Sequence, residues 1–455
     1  MRTPIQDLEH LHSKLKLRAA RVARWSKLYD GEAPLKFASP EFQTQTGGLF
    51  EGFSDNWCQV VPDATVERLV PVGYRTESGE LDKAAWRAWR RNECDVDVSL
   101  ALLDALITGR AFGLVWRPGA ETEISFHDVD QAIVEYVPGK RRVRRAGLLL
   151  WNDGELDRAT LFYPDSVHKF RRKGSGPWAQ ESVSRNPMGV VPLVALENRA
   201  RLRGKPVSEI AVVAPMQDAV NTLWAHTLTA SDDLAAPARA VLGMDRPTRE
   251  ILDDEGEVIG EEDLPIADFR RRKLLWLERE GASIAEFSAA DLANYTRVIE
   301  VAVRHIAAQT RTPPSYLTGE MINVSADALV ASEAGLVAKV TERQRFFGSA
   351  LREIMRLEAI AAGEPERASA LALGSVVWRD PQFRSEAQYA DALVKYKAIG
   401  VPDEALWARM PDTTAEEIER WKAMRTDQAS AIIGGDMAAM YGIKEAPEAE
   451  PEDDQ

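Results

Sequence analysis

Apolar residues recur at three- and four-residue steps over two long stretches in the second half of the chain, which predicts two long helices with a break between them. In SAADLANYTRVIEVAVRHIAAQT, Leu292, Tyr295, Ile299, Ala302 and Ile306 fall on one face. Ser288 suits the N-cap of this helix and Asp291 its positive dipole end. From Ser325, a second good cap, Leu329, Leu336, Val340, Phe347, Leu351 and Ile354 keep the period to about Ala362. A helix of roughly 38 residues would run about 57 Å at 1.5 Å per residue. That exceeds an ordinary globular helix and reads as a strut in an assembly. Between the two lies RTPPSYLTGEMINV, where two successive prolines and Gly319 predict a turning loop.

The same patterning orders the rest. Residues 1–28 predict an amphipathic helix with a basic face, and Asn56 to Leu69 a helix broken at Pro62, followed by a short strand from Val72 to Arg75. SGELDKAAWRAWRRNECD predicts a helix with Leu81, Ala85 and Trp89 inward, and VSLALLDALITG one stopped by Gly109. The period then changes to two: RAFGLVWR, EISFHDV, QAIVEYV, RRVRRAGLLLW and RATLFYP predict strands, with Asn152-Asp153-Gly154 as a hairpin turn. KRRVRR, Lys140 to Arg145, reads as the solvated face of a strand, with a nucleic-acid role as the alternative. NPMGVVPLVALENR is extended; the stretch after it returns to helix through Ile210, Val213, Val220, Trp224 and Leu228, with a kink or fresh start at Pro215. Residues 236–285 predict two strands, ARAVLGM and FRRRKLLWLERE, around an acidic turn region, DDEGEVIGEED. A strand SVVWRD and helices from about Ser385 follow, then EAPEAEPEDDQ, acidic, nearly without apolar residues, and expected to be disordered.

Composition narrows the chemistry. The chain has 455 residues and a net charge of −14, the wrong sign for a free nucleic-acid binder. No apolar run is long enough to span a bilayer, and the N-terminus lacks the apolar core of a signal peptide. Cys58 and Cys94 form no metal-binding spacing and read as buried thiols in a reducing cytoplasm. GKPVS is not a phosphate loop, since Arg199 stands where the first glycine belongs, and DDEGEVIGEED is not a calcium loop, since Ile251 takes the first ligand position. HExxH, GxSxG and GxGxxG do not occur, and the six histidines are scattered. No residue nominates itself as catalytic, as a metal ligand or as a cofactor contact.

Five pieces in order, YDGEAPL, DNWCQVVPDATVERLVPVGYR, DALITGRAFGLVW, NPMGVVPLVALENR with GKPVSEI and QDAVN behind it, and TPPSYLTGEMINVSADAL, resemble the portal, or head-to-tail connector, proteins of tailed bacteriophages. The resemblance covers roughly residues 25 to 350 and implies an α+β, elongated subunit with long helices, in a ring usually of twelve copies at one capsid vertex. It implies a β-rich wing over 1–205, a stem helix over 206–235, a small β-containing clip over 236–285 and a second stem helix over 286–310. A tunnel loop over 311–324, a long wing helix over 325–375, a helical crown over 376–445 and the acidic tail 446–455 complete the division. In the tunnel loop Arg311, Ser315, Tyr316, Thr318 and Asn323 are the expected DNA-channel contacts; in the clip Arg270, Arg271, Arg272 and Lys273 are the expected partner-docking residues. The implied partners are other copies of the chain, terminase, a head-completion or adaptor protein, the major capsid or scaffolding protein, and weakly held, non-specific duplex DNA, with no membrane and no cofactor. Assembly in the host cytoplasm and a place in the virion follow. Another virion structural protein, or a metal-dependent nuclease or hydrolase, are the competing readings.

Overall fold

Wherever the apolar period is three to four, the chain is helical: α1 (Pro4–Tyr29), α2 (Trp57–Val66), α3 (Lys83–Arg91), α4 (Cys94–Thr108), α5 (Ile210–Ala235), α6 (Leu292–Thr310), α7 (Pro314–Thr318), α8 (Ala326–Ala362), α9 (Pro365–Ala372), α10 (Glu386–Ala398), α11 (Asp403–Trp407) and α12 (Ala415–Met440). The strands are β1 (Pro71–Arg75), β2 (Arg110–Trp116), β3 (Glu123–His127), β4 (Ala132–Tyr136), β5 (Arg144–Asn152), β6 (Asp157–Phe162), β7 (Ser166–Arg172), β8 (Ala179–Arg185), β9 (Leu193–Glu197), β10 (Arg239–Leu242), β11 (Thr248–Leu252), β12 (Val258–Asp263), β13 (Leu274–Leu277) and β14 (Ser375–Trp378). This computed structural model describes residues 2–32, 55–202, 204–235, 239–242, 248–252, 257–263, 274–277, 292–319, 326–382, 386–407, 410, 413 and 415–440. The chain divides into two units: 1–26, 61–210 and 321–455 form one, 27–60 and 211–320 the other.

The first unit is organised by α8, whose 37 residues make a single helix. Leu336, Val340, Phe347, Leu351, Ile354 and Met355 are fully buried and share one core with Trp89 of α3 and with Leu102 and Leu106 of α4. Beside them lies the antiparallel sheet β3-β2-β9, with Phe112 opposite His127 on one side and Ala195 on the other. Gly109 ends α4 at φ +95°, a conformation that favours glycine, and a Cβ there would come within 3.1 Å of the Pro206 carbonyl oxygen. A second antiparallel sheet, β4-β5-β6-β7-β8, carries α1 on one face: Leu8, Leu11 and Leu15 pack on Ile133, Leu148, Leu161 and Phe170. The strand predicted around SVVWRD is β14, which pairs antiparallel with β1.

In the second unit, α6 buries Ile299, Ala302 and Ile306 of the expected inward face, with Val303 beside them, while Leu292 and Tyr295 are half-buried. Its predicted cap, Ser288 with Asp291, lies outside the described residues. Pro215 sits inside α5 rather than starting a new helix; it falls in the second turn and removes only one intrahelical donor. The acidic turn region of 236–285 is corrected: Val258–Asp263 is a strand, paired antiparallel with β11, and β10 pairs parallel with β13. Among the described residues the two expected strands are therefore four.

Candidate functional site

In the stretch expected to be a loop after α6, the described residues 311–319 form a capped turn followed by one short helix. Thr310, at the end of α6, donates its hydroxyl to the Ile306 carbonyl at 2.7 Å, and its Oγ1 lies 3.0 Å from that of Thr312. The Thr312 N–H donates to the Ala307 carbonyl at 3.1 Å, closing the helix end. Arg311 makes this closure by taking the left-handed conformation, φ 57°, and its side chain is exposed. The two prolines then start a helix instead of preventing one: Pro313 is the N-cap and Pro314 the first residue of α7. Gly319 closes α7 at φ 67°, its N–H donating to the Ser315 carbonyl at 3.1 Å, while the Thr318 hydroxyl donates to the Pro314 carbonyl at 3.1 Å. Arg311, Ser315, Tyr316 and Thr318 thus share one compact turn, anchored by buried Leu317. Among the described residues none forms an ion pair with Arg311. Asn323 and the clip residues Arg270, Arg271, Arg272 and Lys273 lie outside the described residues.

Two further constellations, which the sequence did not single out, occur where the ordered motifs meet. In the first unit, the Asn198 N–H donates to the Gly109 carbonyl at 2.9 Å, and its side-chain amide donates to the Val207 carbonyl at 2.7 Å and to Glu209 Oε1 at 3.1 Å. The Glu209 N–H donates to the Leu106 carbonyl at 2.9 Å. Its carboxylate is met by Arg343 at 2.6 Å and Lys339 at 3.3 Å from α8, both cations being buried. Burial alone would raise the Glu209 pKa. Lys339, Arg343 and the hydrogen bonds from Arg343 and Asn198 outweigh it and hold the carboxyl down at about 2. In the second unit, Gln217 and Asn221 of QDAVN are buried. The Gln217 side chain accepts from the Trp57 N–H at 2.9 Å and donates to Asn221 Oδ1 at 3.0 Å, and Trp224 Nε1 donates to Asp55 Oδ2 at 2.9 Å.

The signal for both sets was present as polar residues in inward places. Arg343 continues the series Leu336, Val340, Phe347, and Gln217 stands between Val213 and Val220, yet each reads as an ordinary surface residue until its partner is known.

The basic run is likewise only half solvated. Arg144 meets Glu353 of α8 at 2.6 Å, and Arg145 meets Asp7 of α1 at 2.8 Å and also pairs with Glu135, while Lys140, Arg141 and Arg142 are exposed. The strand-face reading is corrected for Arg144 and Arg145: they join β5 to two helices. Cys58 and Cys94 are free thiols, both buried; burial, then Asp97 and Asp95, push Cys94 up to about 12. Among the described residues no group of three His, Cys, Asp or Glu side chains is placed to hold a metal ion.

Residues 10–431 match the family described as phage portal protein, SPP1 Gp6-like, and the chain belongs to that family. The portal assignment read from the ordered motifs is borne out. The chain is 29% identical over 395 residues to the portal protein of Mycobacterium phage L5, covering 82% of this chain and 79% of that one. To the portal protein of Mycobacterium phage D29 it is 28% identical over 393 residues, with the same coverage, 82% and 79%. A solved chain from the neck of a native gene transfer agent particle, computed with C12 symmetry, aligns over 83% of this chain and 96% of that one, at 14% identity and a TM-score of 0.44.

Proposed function

We propose that the chain closes into a ring at one vertex of a phage capsid, through whose axial channel duplex DNA passes during packaging and ejection. The family match from residue 10 to residue 431 carries this reading. Head-to-tail contact requires each copy to offer two different surfaces, with a rotation that closes. The helices assigned to the stem meet that need. α5 and α6 each bury one face and keep aliphatic residues exposed on another, Val212 at 44%, Val298 at 51% and Val301 at 46%.

In this reading 1–205 and 325–375 form the wing, 206–235 and 286–310 the stem, 236–285 the clip, 311–324 the tunnel loop, 376–445 the crown and 446–455 an acidic tail. Terminase and then a head-completion or adaptor protein dock on the clip through Arg270, Arg271, Arg272 and Lys273, where charge complementarity speeds encounter. The capsid or scaffolding protein meets the wing. Assembly takes place in the host cytoplasm, the ring ends in the virion, and its role is mechanical rather than catalytic. Among the described residues no helix is long and apolar enough to cross a membrane.

DNA contact is weak and non-specific. The turn from Arg311 to Gly319 offers one cation beside neutral hydroxyl groups, which suits a duplex that must keep moving, since each neutralised phosphate adds affinity to be broken at every step. Negative-stain microscopy of the purified protein tests the reading: rings with an axial hole are expected. A folded monomer at every concentration and salt tested would overturn it.

A further inference from the structure

A one-sided run of charge lies along α1. Between Glu9 and Asp30 the sequence holds six cations, Lys14, Lys16, Arg18, Arg21, Arg24 and Lys27, and no carboxylate, in a chain of net charge −14. The inward side of the helix is accounted for. Leu8, Leu11, Leu15 and Val22 are buried. Arg18 turns inward, lying 5.0 Å over the Phe112 ring and donating to the carbonyls of Val129 and Ala132. Lys14 reaches Glu135 at 3.0 Å.

The opposite side is different. Lys16, Leu17, Ala20, Arg21, Ala23 and Arg24 are all exposed, Leu17 at 70%, and at helical spacing they form one stripe, cationic with small or aliphatic residues between. Among the described residues no carboxylate pairs with Lys16 or Arg21. His12, half-buried beside this stripe, is held below its ordinary value by burial first, then by Lys16 and Arg172, with Asp157 opposing. A like-charged face of this kind repels its own members and favours any anionic partner that reaches it.

We infer that the exposed cationic stripe of α1 is a docking surface for the acidic segment of this same chain, Glu445 to Asp454. The complementarity is chemical as well as electrostatic. That segment carries Glu445, Glu448, Glu450, Glu452, Asp453 and Asp454 with no cation, interleaved with Ala446, Pro447, Ala449 and Pro451. The alternation of charge with small apolar residues matches a stripe in which Lys16, Arg21 and Arg24 alternate with Leu17, Ala20 and Ala23. A nucleic-acid backbone would use the cations and leave Leu17 without a partner. The segment belongs to the same chain, so within reach its docking is an intramolecular event. Docked there, it shields a face that would otherwise hold polyanions.

Carbodiimide coupling of the full chain, read by peptide mapping, tests the contact. Lys16 is expected to be joined to a carboxylate within 445–454 at low salt, and the link should fade as salt rises. A second measurement follows the shielding. A chain ending at residue 444 should bind a short duplex several-fold more tightly than the full chain at low salt, and Lys16→Glu with Arg21→Glu in that shortened chain should abolish the gain. Coupling of Lys16 to carboxylates elsewhere, or to none, would overturn the proposal. So would equal duplex affinity of the full and shortened chains.

Discussion

α8, one unbroken helix, and the turn that follows α6 both carry polar side chains, but they hold those side chains at very different cost. Along α8, Glu333 meets Arg68 at 2.9 Å, Lys339 and Arg343 meet Glu209, Glu353 meets Arg144, and Glu358 accepts from Thr122 at 3.0 Å and meets Arg367 at 2.6 Å. Most of these groups are largely removed from water, so each depends on its partner. The bonds that close the turn are local, neutral and mostly within four residues, and Arg311, Tyr316 and Thr318 are exposed. The lesson is that a helix rich in charge can be a buried framework, whereas a segment rich in proline and hydroxyl groups can be a compact element whose outer atoms change at little expense.

The sharpest test of that contrast is Glu209→Ala. It would leave Lys339 and Arg343 buried without their counter-charge, and the expected loss is about 3–5 kcal/mol, read as a fall in the denaturant midpoint of the first unit. Replacing Lys339 and Arg343 by Met and Leu in the same chain should recover most of it. A loss below about 1 kcal/mol would mean that the cations find water or other partners, and α8 would then resemble the turn after all.

Acid provides a second test. Glu209 has a folded-state pKa of about 2 against an ordinary 4.5, so its contribution is fully present above about pH 4.5 and is lost as pH falls towards 2. The shift corresponds to about 3 kcal/mol. Asp7 is lowered in the same sense: burial raises it, but hydrogen bonds from Arg145 and Tyr163 and the charges of Arg145 and Arg2 prevail. Denaturant midpoints taken between pH 7 and pH 2.5 should therefore fall steadily below pH 4.5, and Glu209→Gln should flatten part of that fall.

How far the sequence could be read follows from the same contrast. The long helices were legible because Leu336, Val340, Phe347 and Ile354, like Ile299, Ala302 and Ile306, repeat an apolar period that tertiary packing reinforces. β7 and β8 were not. In SVHKFRR only Val167 and Phe170 are buried, and AQESVSR is exposed at all seven positions, so neither carries a run of apolar alternation. The start of α7 was misread because proline ends a helix in its interior but suits its first residue. The ion pairs of α8 were invisible, since a cation at position 343 gives no hint of a carboxylate at position 209. For the expected channel residues, the sequence located the turn that Arg311, Ser315, Tyr316 and Thr318 share, but not its geometry.

A smaller effect belongs to Gly109, where the chain turns out of α4 towards Asn198. Gly109→Ala would put a side chain into the left-handed region and within 3.1 Å of the Pro206 carbonyl oxygen, at an expected cost of about 1–2 kcal/mol. That is less than the loss of Glu209, because a neighbouring loop gives way more readily than a buried charge finds a new partner. A thermal midpoint lowered as far as that of Glu209→Ala would reverse this ranking.

The smallest change in stability should come from the turn itself, at Arg311. This residue holds a left-handed conformation that glycine adopts freely, so Arg311→Gly relieves backbone strain while loosening the unfolded chain. These effects oppose each other, and the net change should stay within about 0.5 kcal/mol. The effect on DNA should be clearer. In the proposed channel each copy brings one such cation, and log affinity for a duplex falls with log salt in proportion to the phosphates neutralised, by about 0.9 for each. Fluorescence anisotropy of the assembled ring with a short duplex should show weak, strongly salt-dependent binding, and Arg311→Gly should lower the salt slope by about one unit per engaged copy. An unchanged slope would move the contact away from this turn. Submicromolar binding at near-physiological salt, or a preference for one sequence, would mean that the turn is a grip rather than a sliding surface.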